Sequence, residues 1–339
     1  MMQYDRITIG RQAKELGFVR DTLEKVCRLA DVLAFMEKDP LLSDSLALKG
    51  GTAINLTIFD LPRLSVDIDL DFSKEVEHEA MLEERKKITE HIRKYMAAAG
   101  YQLSIKSKQY HAMDSFVYEN VNAGGMKDNL KIEINYMLRA HVLSVLRRRV
   151  NLPWQKEPLT VLSIDPLEIF GAKIVALLSR TAARDLYDIF NLQKYRLFDE
   201  GEEPLLRKCV VFYSAIAAEK APECFSFNHI VQLAPQRIKT DLIPVLRRGE
   251  YFDLELAQKK MMEYLKSFLF PENSRELEFW QSFNNQEYRP DLLFSDDEFL
   301  NRVKRHPMAL WKCGGREKWS KELKIHKTIK ELSDTAATF

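Results

Sequence analysis

From residue 7 to 37 the chain reads ITIGRQAKELGFVRDTLEKVCRLADVLAFME, and its apolar positions recur at helical spacing. Leu23, Val26, Cys27 and Ala30 form one stripe that Leu33 and Ala34 continue. After a polar break at KDPLLSDS, the run LALKGGTAINLTIF predicts a short strand, a glycine turn and a short helix. In LPRLSVDIDLDF the period changes to two, with Val66, Ile68, Leu70 and Phe72 on one face and Asp67, Asp69 and Asp71 on the other. Residues 77–98 predict a long amphipathic helix closed by Gly100. YQLSIKSKQ and SFVYEN read as strands and AGGMKDN as a turn. LKIEINYML alternates again, placing Lys131, Glu133 and Asn135 on one face and Ile132, Ile134 and Tyr136 on the other. Beyond Pro166 the pattern is mainly helical, at 166–180, 182–195, 202–220, 240–248, 253–269 and 295–304.

The fold class this predicts is α/β (α+β): a mixed twisted sheet with flanking helices over residues 1–150, then a mainly helical domain over 151–339. RRRVNLPWQKEPLTVLSIDP, irregular, basic and broken by prolines, is the expected linker. The first helices beyond it, 166–195, are expected to pack back on the sheet and complete a site there. A length of 339 residues agrees with two domains.

Hydrophobic residues at 46% and charged residues at 30% describe a soluble globule. The net charge of +1 conceals an uneven distribution, because ten Lys/Arg face two Glu between Arg302 and Lys330. Cys27, Cys209, Cys224 and Cys313 show no CxxC or Cys/His spacing, which argues for a reducing compartment and against structural zinc. With neither a signal-peptide pattern nor a membrane-length apolar run, cytoplasmic residence is expected.

A row of like charges on a strand face repels itself unless something positive lies opposite. Carboxylates at i and i+2 stand roughly 6.6 Å apart and point the same way, so two of them can converge on a divalent cation. A two-metal site needs a third carboxylate from a neighbouring strand, and Glu133 is the candidate. The competing reading is an edge strand whose charges guard against aggregation. The GGT turn ahead of the acids weighs against it, since Gly50 and Gly51 allow close backbone approach and Thr52 opens a helix whose amides suit phosphate. If Lys173 to Asp188 form one helix, then Lys173, Arg180, Arg184 and Asp188 share about an 80° arc. Asp185 points away from that stripe and reads as a structural ion pair.

LKGGT followed by RLSVDIDLDF resembles the signature of the DNA polymerase β-type nucleotidyltransferase superfamily. The KIEIN strand and the K…R…RDLYDIF helix resemble the AbiEii/AbiGii toxins of bacterial abortive-infection, type IV toxin–antitoxin systems, over about residues 20 to 195. The resemblance implies a polymerase β-like domain in which Lys49, Gly50, Gly51 and Thr52 hold nucleotide phosphates. Asp67 and Asp69 would bind Mg²⁺, with Mn²⁺ as the alternative, and Glu133 would be the third carboxylate. Lys173, with Arg180 and Arg184, would contact the triphosphate, and Asp188 would be the last acid of the RDxxD motif. Asp71 is an extra acid, so Asp69/Asp71 stands as an alternative pair, although the S-x-D-x-D pattern favours Asp67/Asp69.

The activity implied is transfer of a nucleoside monophosphate from an NTP to RNA, at the 3′ acceptor end of tRNA, with a cognate antitoxin as partner. Transfer to a protein hydroxyl or a small molecule, and a catalytically silent nucleotide- or RNA-binding module, are the competing readings. The basic runs at 147–156 and 302–330, interspersed with Trp154, Trp311 and Trp319, are candidates for RNA contact or simply solvated surface.

Overall fold

The computed structural model of the chain describes residues 4–155 and 157–315. Two helices, α1 (Arg6–Leu16) and α2 (Arg20–Lys38), make up the stretch over 7–37 that reads as mostly helical. Gly17 ends α1 in the left-handed region at φ +78°, the conformation glycine adopts at least cost. Asp39 then caps α3 (Pro40–Ser45), accepting hydrogen bonds from the amides of Leu41 and Leu42. β1 (Leu46–Leu48), α4 (Gly50–Ala53) and a wide turn over Ile54–Ile58 lead to β2 (Asp67–Phe72).

α5 (His78–Ala98) is followed by β3 (Gln102–Leu103), β4 (Lys108–Gln109), β5 (Met113–Val121) and β6 (Lys127–Asn135). The stretch expected to be a linker instead forms β7 (Leu146–Arg149) and β8 (Thr160–Ser163), an antiparallel pair. β8 lies parallel to β1, so the sheet continues past residue 150. Its strand order among the described residues is β3-β5-β6-β2-β1-β8-β7, with β4 also on β5. The acidic strand β2 is therefore central, flanked by antiparallel β1 and parallel β6, which overturns the edge-strand reading.

The helical half comprises α6 (Pro166–Ser179), α7 (Ala183–Lys194), α8 (Glu203–Ala217), α9 (Asn228–Val231), α10 (Pro235–Arg237), α11 (Leu254–Leu269), α12 (Ser274–Asn284), α13 (Asp297–Val303) and α14 (Pro307–Leu310). Where a helix was expected at 240–248, Pro244 interrupts and the chain forms short turns over Ile238–Leu242 and Ile243–Val245. α12 was not anticipated, although a capping box between Asn273 and Glu276 marks its start. One apolar core joins α2, the sheet and α6 to α8.

A buried carboxylate locks α6 to that core. Glu168 accepts hydrogen bonds from the amides of Val142 (3.2 Å) and Leu143 (2.9 Å) and from the Tyr213 hydroxyl on α8. His141 Nδ1 lies 3.4 Å from Glu168 Oε1, and His141 Nε2 lies 3.0 Å from Ser73 Oγ. Burial pushes the Glu168 carboxyl up, but His141, Tyr213 and the Leu143 amide outweigh it and hold it below its ordinary value. Burial disfavours the His141 imidazolium, and Glu168 overcomes this to raise its pKa.

Replacing Glu168 by Ala leaves buried donors without an acceptor, so unfolding by denaturant should show a loss of roughly 3–5 kcal/mol; a loss below about 1 kcal/mol would contradict this role. Because the folded His141 pKa lies above 6.5, its contribution is complete below that value and lost as pH rises through the folded pKa. The stability gap between wild type and His141→Gln should accordingly be wider near pH 6 than at about pH 9.

Candidate functional site

The site begins at the glycine turn. Lys49 N donates to Asp69 O at 2.9 Å, which lays the turn directly over the acidic strand. Gly50 has φ +65°, and a Cβ there would come within 2.7 Å of Asp69 Oδ2. At Gly51 a Cβ would come within 2.8 Å of Arg63 Nη2. The two glycines thus make room for a carboxylate and a guanidinium respectively. Thr52 is buried; its hydroxyl bonds the Asp67 carbonyl and lies 2.9 Å from Ser65 Oγ. Asn55 adds a second clasp, donating to Gly51 O at 2.7 Å and accepting from Arg63 N at 3.3 Å. With the Thr52 hydroxyl engaged in this way, Gly50, Gly51 and Thr52 can offer a ligand only backbone groups.

On β2 the parallel register sets Asp69 opposite Glu133, Asp67 opposite Lys131 and Asp71 opposite Asn135. Glu133 Oε1 receives Ser115 Oγ at 3.0 Å and Lys131 Nζ at 2.9 Å. Burial raises the Asp69 pKa, Lys49 and Lys173 pull it down, and the charges of Asp67 and Glu133 push it up, the net being a rise. Asp71 is more deeply buried and ion-paired with Lys49 at 2.5 Å. Burial raises its pKa against the pull of Lys49 and His141. Lys49, expected on the nucleotide phosphates, is thus bound to Asp71, while its charge also reaches Asp69.

The chain forms two helices here, as the pattern over 166–180 and 182–195 predicts, and not the one helix on which the shared stripe was conditional: α6 stops at Ser179, and Arg180 is extended before α7 starts. The bend reverses the expected role of Asp185. It takes Lys173 Nζ at 2.9 Å and Arg180 Nε at 2.8 Å, and so joins the two helices instead of pointing away. Asp188 forms a two-pronged pair with Arg63, at 2.8 and 2.7 Å, and lies 3.2 Å from Lys173 Nζ. Burial disfavours the Lys173 ammonium, but Asp185 and Asp188 outweigh it and raise its pKa. Arg184 donates to Asp241 O at 2.7 Å. The four expected cations nonetheless surround the acids: Lys49, Lys173 and Arg180 interact electrostatically with Asp69, and Arg184 with Asp67.

Arg63 escaped the reading of the sequence. It is 2% exposed, and beyond Asp188 it donates to Leu64 O at 3.0 Å. The available signal was a lone arginine in the otherwise apolar LPRLS, four residues ahead of Asp67. The first basic run is partly committed to the fold, since Arg147 pairs with Glu37 and Asp44 and Arg148 donates to Thr57 O. Trp154 packs against the core. Lys156 and the part of the second run from Arg316 to Lys330, including Trp319, lie outside the described residues.

Among the described residues, no group of three or more His, Cys, Asp or Glu side chains is already gathered closely enough to hold a metal ion. The donor chemistry still fits a hard divalent cation. Asp67, Asp69 and Glu133 offer only oxygen; burial, and after it the charges of Asp67 and Glu133, raise the Asp69 pKa, and a cation would relieve both the desolvation and the repulsion. No described helix is long and apolar enough to cross a membrane.

Over residues 34–285 the chain matches the family described as "Nucleotidyl transferase AbiEii toxin, Type IV TA system". Among solved structures, MenT4, a nucleotidyltransferase toxin from Mycobacterium tuberculosis H37Rv, superposes with a TM-score of 0.60 at 17% identity, covering 91% of this chain and 99% of that one. At that identity the likeness speaks for the fold. Comparison with curated proteins gives no match.

Two outcomes follow from the charge arrangement. Removing Arg63 takes the two-pronged partner from buried Asp188 and leaves it only the longer contact to Lys173, so Arg63→Ala should cost up to roughly 3–5 kcal/mol in a denaturation experiment. Because the Asp69 pKa is raised in the fold, its stabilising contribution is lost as pH rises through the folded value. Asp69→Asn should therefore melt above wild type in metal-free buffer near pH 8 and lose that advantage near pH 4. A variant that melts below wild type at both pH values would show that the carboxylate is not under repulsion.

Proposed function

The chain belongs to the AbiEii family of nucleotidyltransferase toxins, and from that premise we propose that it moves a nucleoside monophosphate from an NTP to RNA, at the 3′ acceptor end of tRNA, in a Mg²⁺-dependent reaction. The observation that carries this reading is the register pairing of Asp69 with Glu133, with Asp67 alongside and Lys49, Lys173, Arg180 and Arg184 around them. Such a set of oxygen donors ringed by cations suits a metal–triphosphate complex and would be self-repelling without one. The transferase unit, in this reading, is the region 1–150 completed by helices 166–195.

In the reaction the acceptor hydroxyl forms a bond to the α-phosphorus, the bond from that phosphorus to the bridging oxygen breaks, and pyrophosphate leaves with the electron pair. Arg180, with 63% of its side chain exposed, is the cation best placed to meet phosphate oxygens. Lys173 adds positive potential from below, held in orientation by Asp185 and Asp188. Glu133, steadied by Ser115 and Lys131, would take the proton of the attacking hydroxyl. Held by Asp67, Asp69 and Glu133, Mg²⁺ would neutralise charge on the phosphate oxygens. The proposed RNA substrate supports residence in the cytoplasm, and the family implies a cognate antitoxin.

The test is incubation with each α-labelled NTP, Mg²⁺ or Mn²⁺, and total RNA, with Asp69→Ala in parallel. Label should enter a tRNA-sized band with wild type, and both Asp69→Ala and chelation should lower the rate at least about 100-fold. Lys173→Ala should lose transfer as well. It should keep its fold, because Asp185 retains Arg180 and Asp188 retains Arg63. Label on protein or on a small molecule would redirect the acceptor assignment, and no transfer under any condition would leave a binding module.

A further inference from the structure

A cleft of about 770 Å³ opens where the parallel strands β2 and β6 end. Glu75 and Glu77 line it from the segment after β2, Arg139 from the segment after β6, and Arg302, Arg305 and Trp311 from the region of α13 and α14. Arg139 and the neighbouring pair Arg302 and Arg305, distant from it in sequence, are thus brought to one cavity. Arg139 donates to the carbonyls of Val76 (3.3 Å) and Tyr136 (3.1 Å), and Arg302 to Ser144 Oγ and to the carboxylate of Glu298. The Arg302–Glu298 ion pair is long, at 3.4 Å, and the Glu298 side chain is 68% exposed, while Arg302 Nε is buried with no hydrogen-bond partner among the described residues. Arg305 is exposed.

This mixture selects its occupant. A bare polyanion would be repelled by Glu75 and Glu77, and a small inorganic anion needs neither the volume nor an indole. A nucleotide unit uses all three features, since its phosphate wants guanidinium, its base wants an aromatic face, and its ribose hydroxyls and exocyclic amines donate to carboxylates. The volume falls within the range of nucleotide-sized sites. An incoming NTP would have its phosphates at Asp67 and Asp69, earlier along β2, which leaves the acceptor strand for the cleft.

We propose that this cleft seats a nucleotide of the acceptor RNA, its phosphates on Arg139, Arg302 and Arg305 and its base against Trp311. The inference rests on RNA being the acceptor, as argued above. The cleft is rigidly coupled to the reacting site. His141, two residues beyond Arg139, meets both Ser73 after β2 and Glu168 on α6, the helix that carries Lys173.

The experiment measures binding of labelled tRNA to wild type, Asp69→Ala, Trp311→Ala and the double variant Arg302→Ala/Arg305→Ala across a salt series, beside transfer kinetics and melting temperature. In the double variant, RNA affinity should fall at least about 10-fold, the slope of log affinity against log salt should shrink by about 2, and the KM for RNA should rise in step. Trp311→Ala should weaken binding without changing the slope. Asp69→Ala should bind RNA as wild type does, and the KM for NTP should stay unchanged in the cleft variants. Folded cleft variants with wild-type RNA affinity and slope would overturn the proposal even if transfer to RNA is confirmed. Conversely, loss of RNA binding in those variants alongside a wild type that transfers nothing to RNA would uphold the cleft and remove the transfer reading.

Discussion

Carboxylates on a central strand, shielded from bulk water and facing one another, have to be kept from driving the sheet apart. Asp67, Asp69, Asp71 and Glu133 pose this problem, and each part of the surrounding structure answers a portion of it. Asp71 is neutralised by Lys49 and has His141 close by. Glu133 is met by Lys131 and Ser115. Asp69 keeps a raised pKa first because it is buried and then because Asp67 and Glu133 act on it, and among the described residues no side chain forms a direct ion pair with it. The repulsion is thus relieved at the margins and concentrated at Asp69, the position the glycine turn also approaches most closely.

The cations behind the acids are themselves held in a chain of ion pairs. Gly51 leaves room for Arg63, which pairs with Asp188; Lys173 bridges Asp188 and Asp185, and Asp185 ends the chain at Arg180. The buried members have little alternative hydration, so the pairs are sensitive to loss of either partner. Their arrangement also explains why α6 and α7 must bend. A straight helix would carry Lys173 and Asp188 on one stripe, whereas the break at Arg180 turns Asp185 back onto Lys173.

How legible this was depended on how local each signal is. The alternation of β2 and β6 was readable because a period of two needs only neighbouring residues, and Asp67, Asp69 and Glu133 came with it. The glycine turn was readable for the same reason, as was the helical character of most of the chain after Pro166. What stayed hidden was set by contacts across the chain. Arg63 looks like any charged residue until Gly51 and Asp188 are seen to enclose it. The residues of β7 and β8 carry prolines and arginines between them and little internal periodicity; the parallel partner β1, more than a hundred positions earlier, is what makes β8 a strand. Asp185 was misplaced because its direction was read from one unbroken helix, although the helical pattern itself divides between 180 and 182.

Asp71 shows why the pattern of three acids does not amount to three equivalent groups. All three point to one side of β2, so spacing alone leaves Asp67/Asp69 and Asp69/Asp71 equally open. Depth separates them, because the strand descends from partly exposed Asp67 to buried Asp71. A buried carboxylate beside an ammonium at 2.5 Å gains far more from that partner than a hydrated ligand would offer, so its charge is matched internally. Asp71 then serves the acids next to it indirectly, by holding Lys49 where the ammonium also lowers the Asp69 pKa. An acid that looks surplus in the motif is, in the fold, the group that keeps a cation beside Asp69.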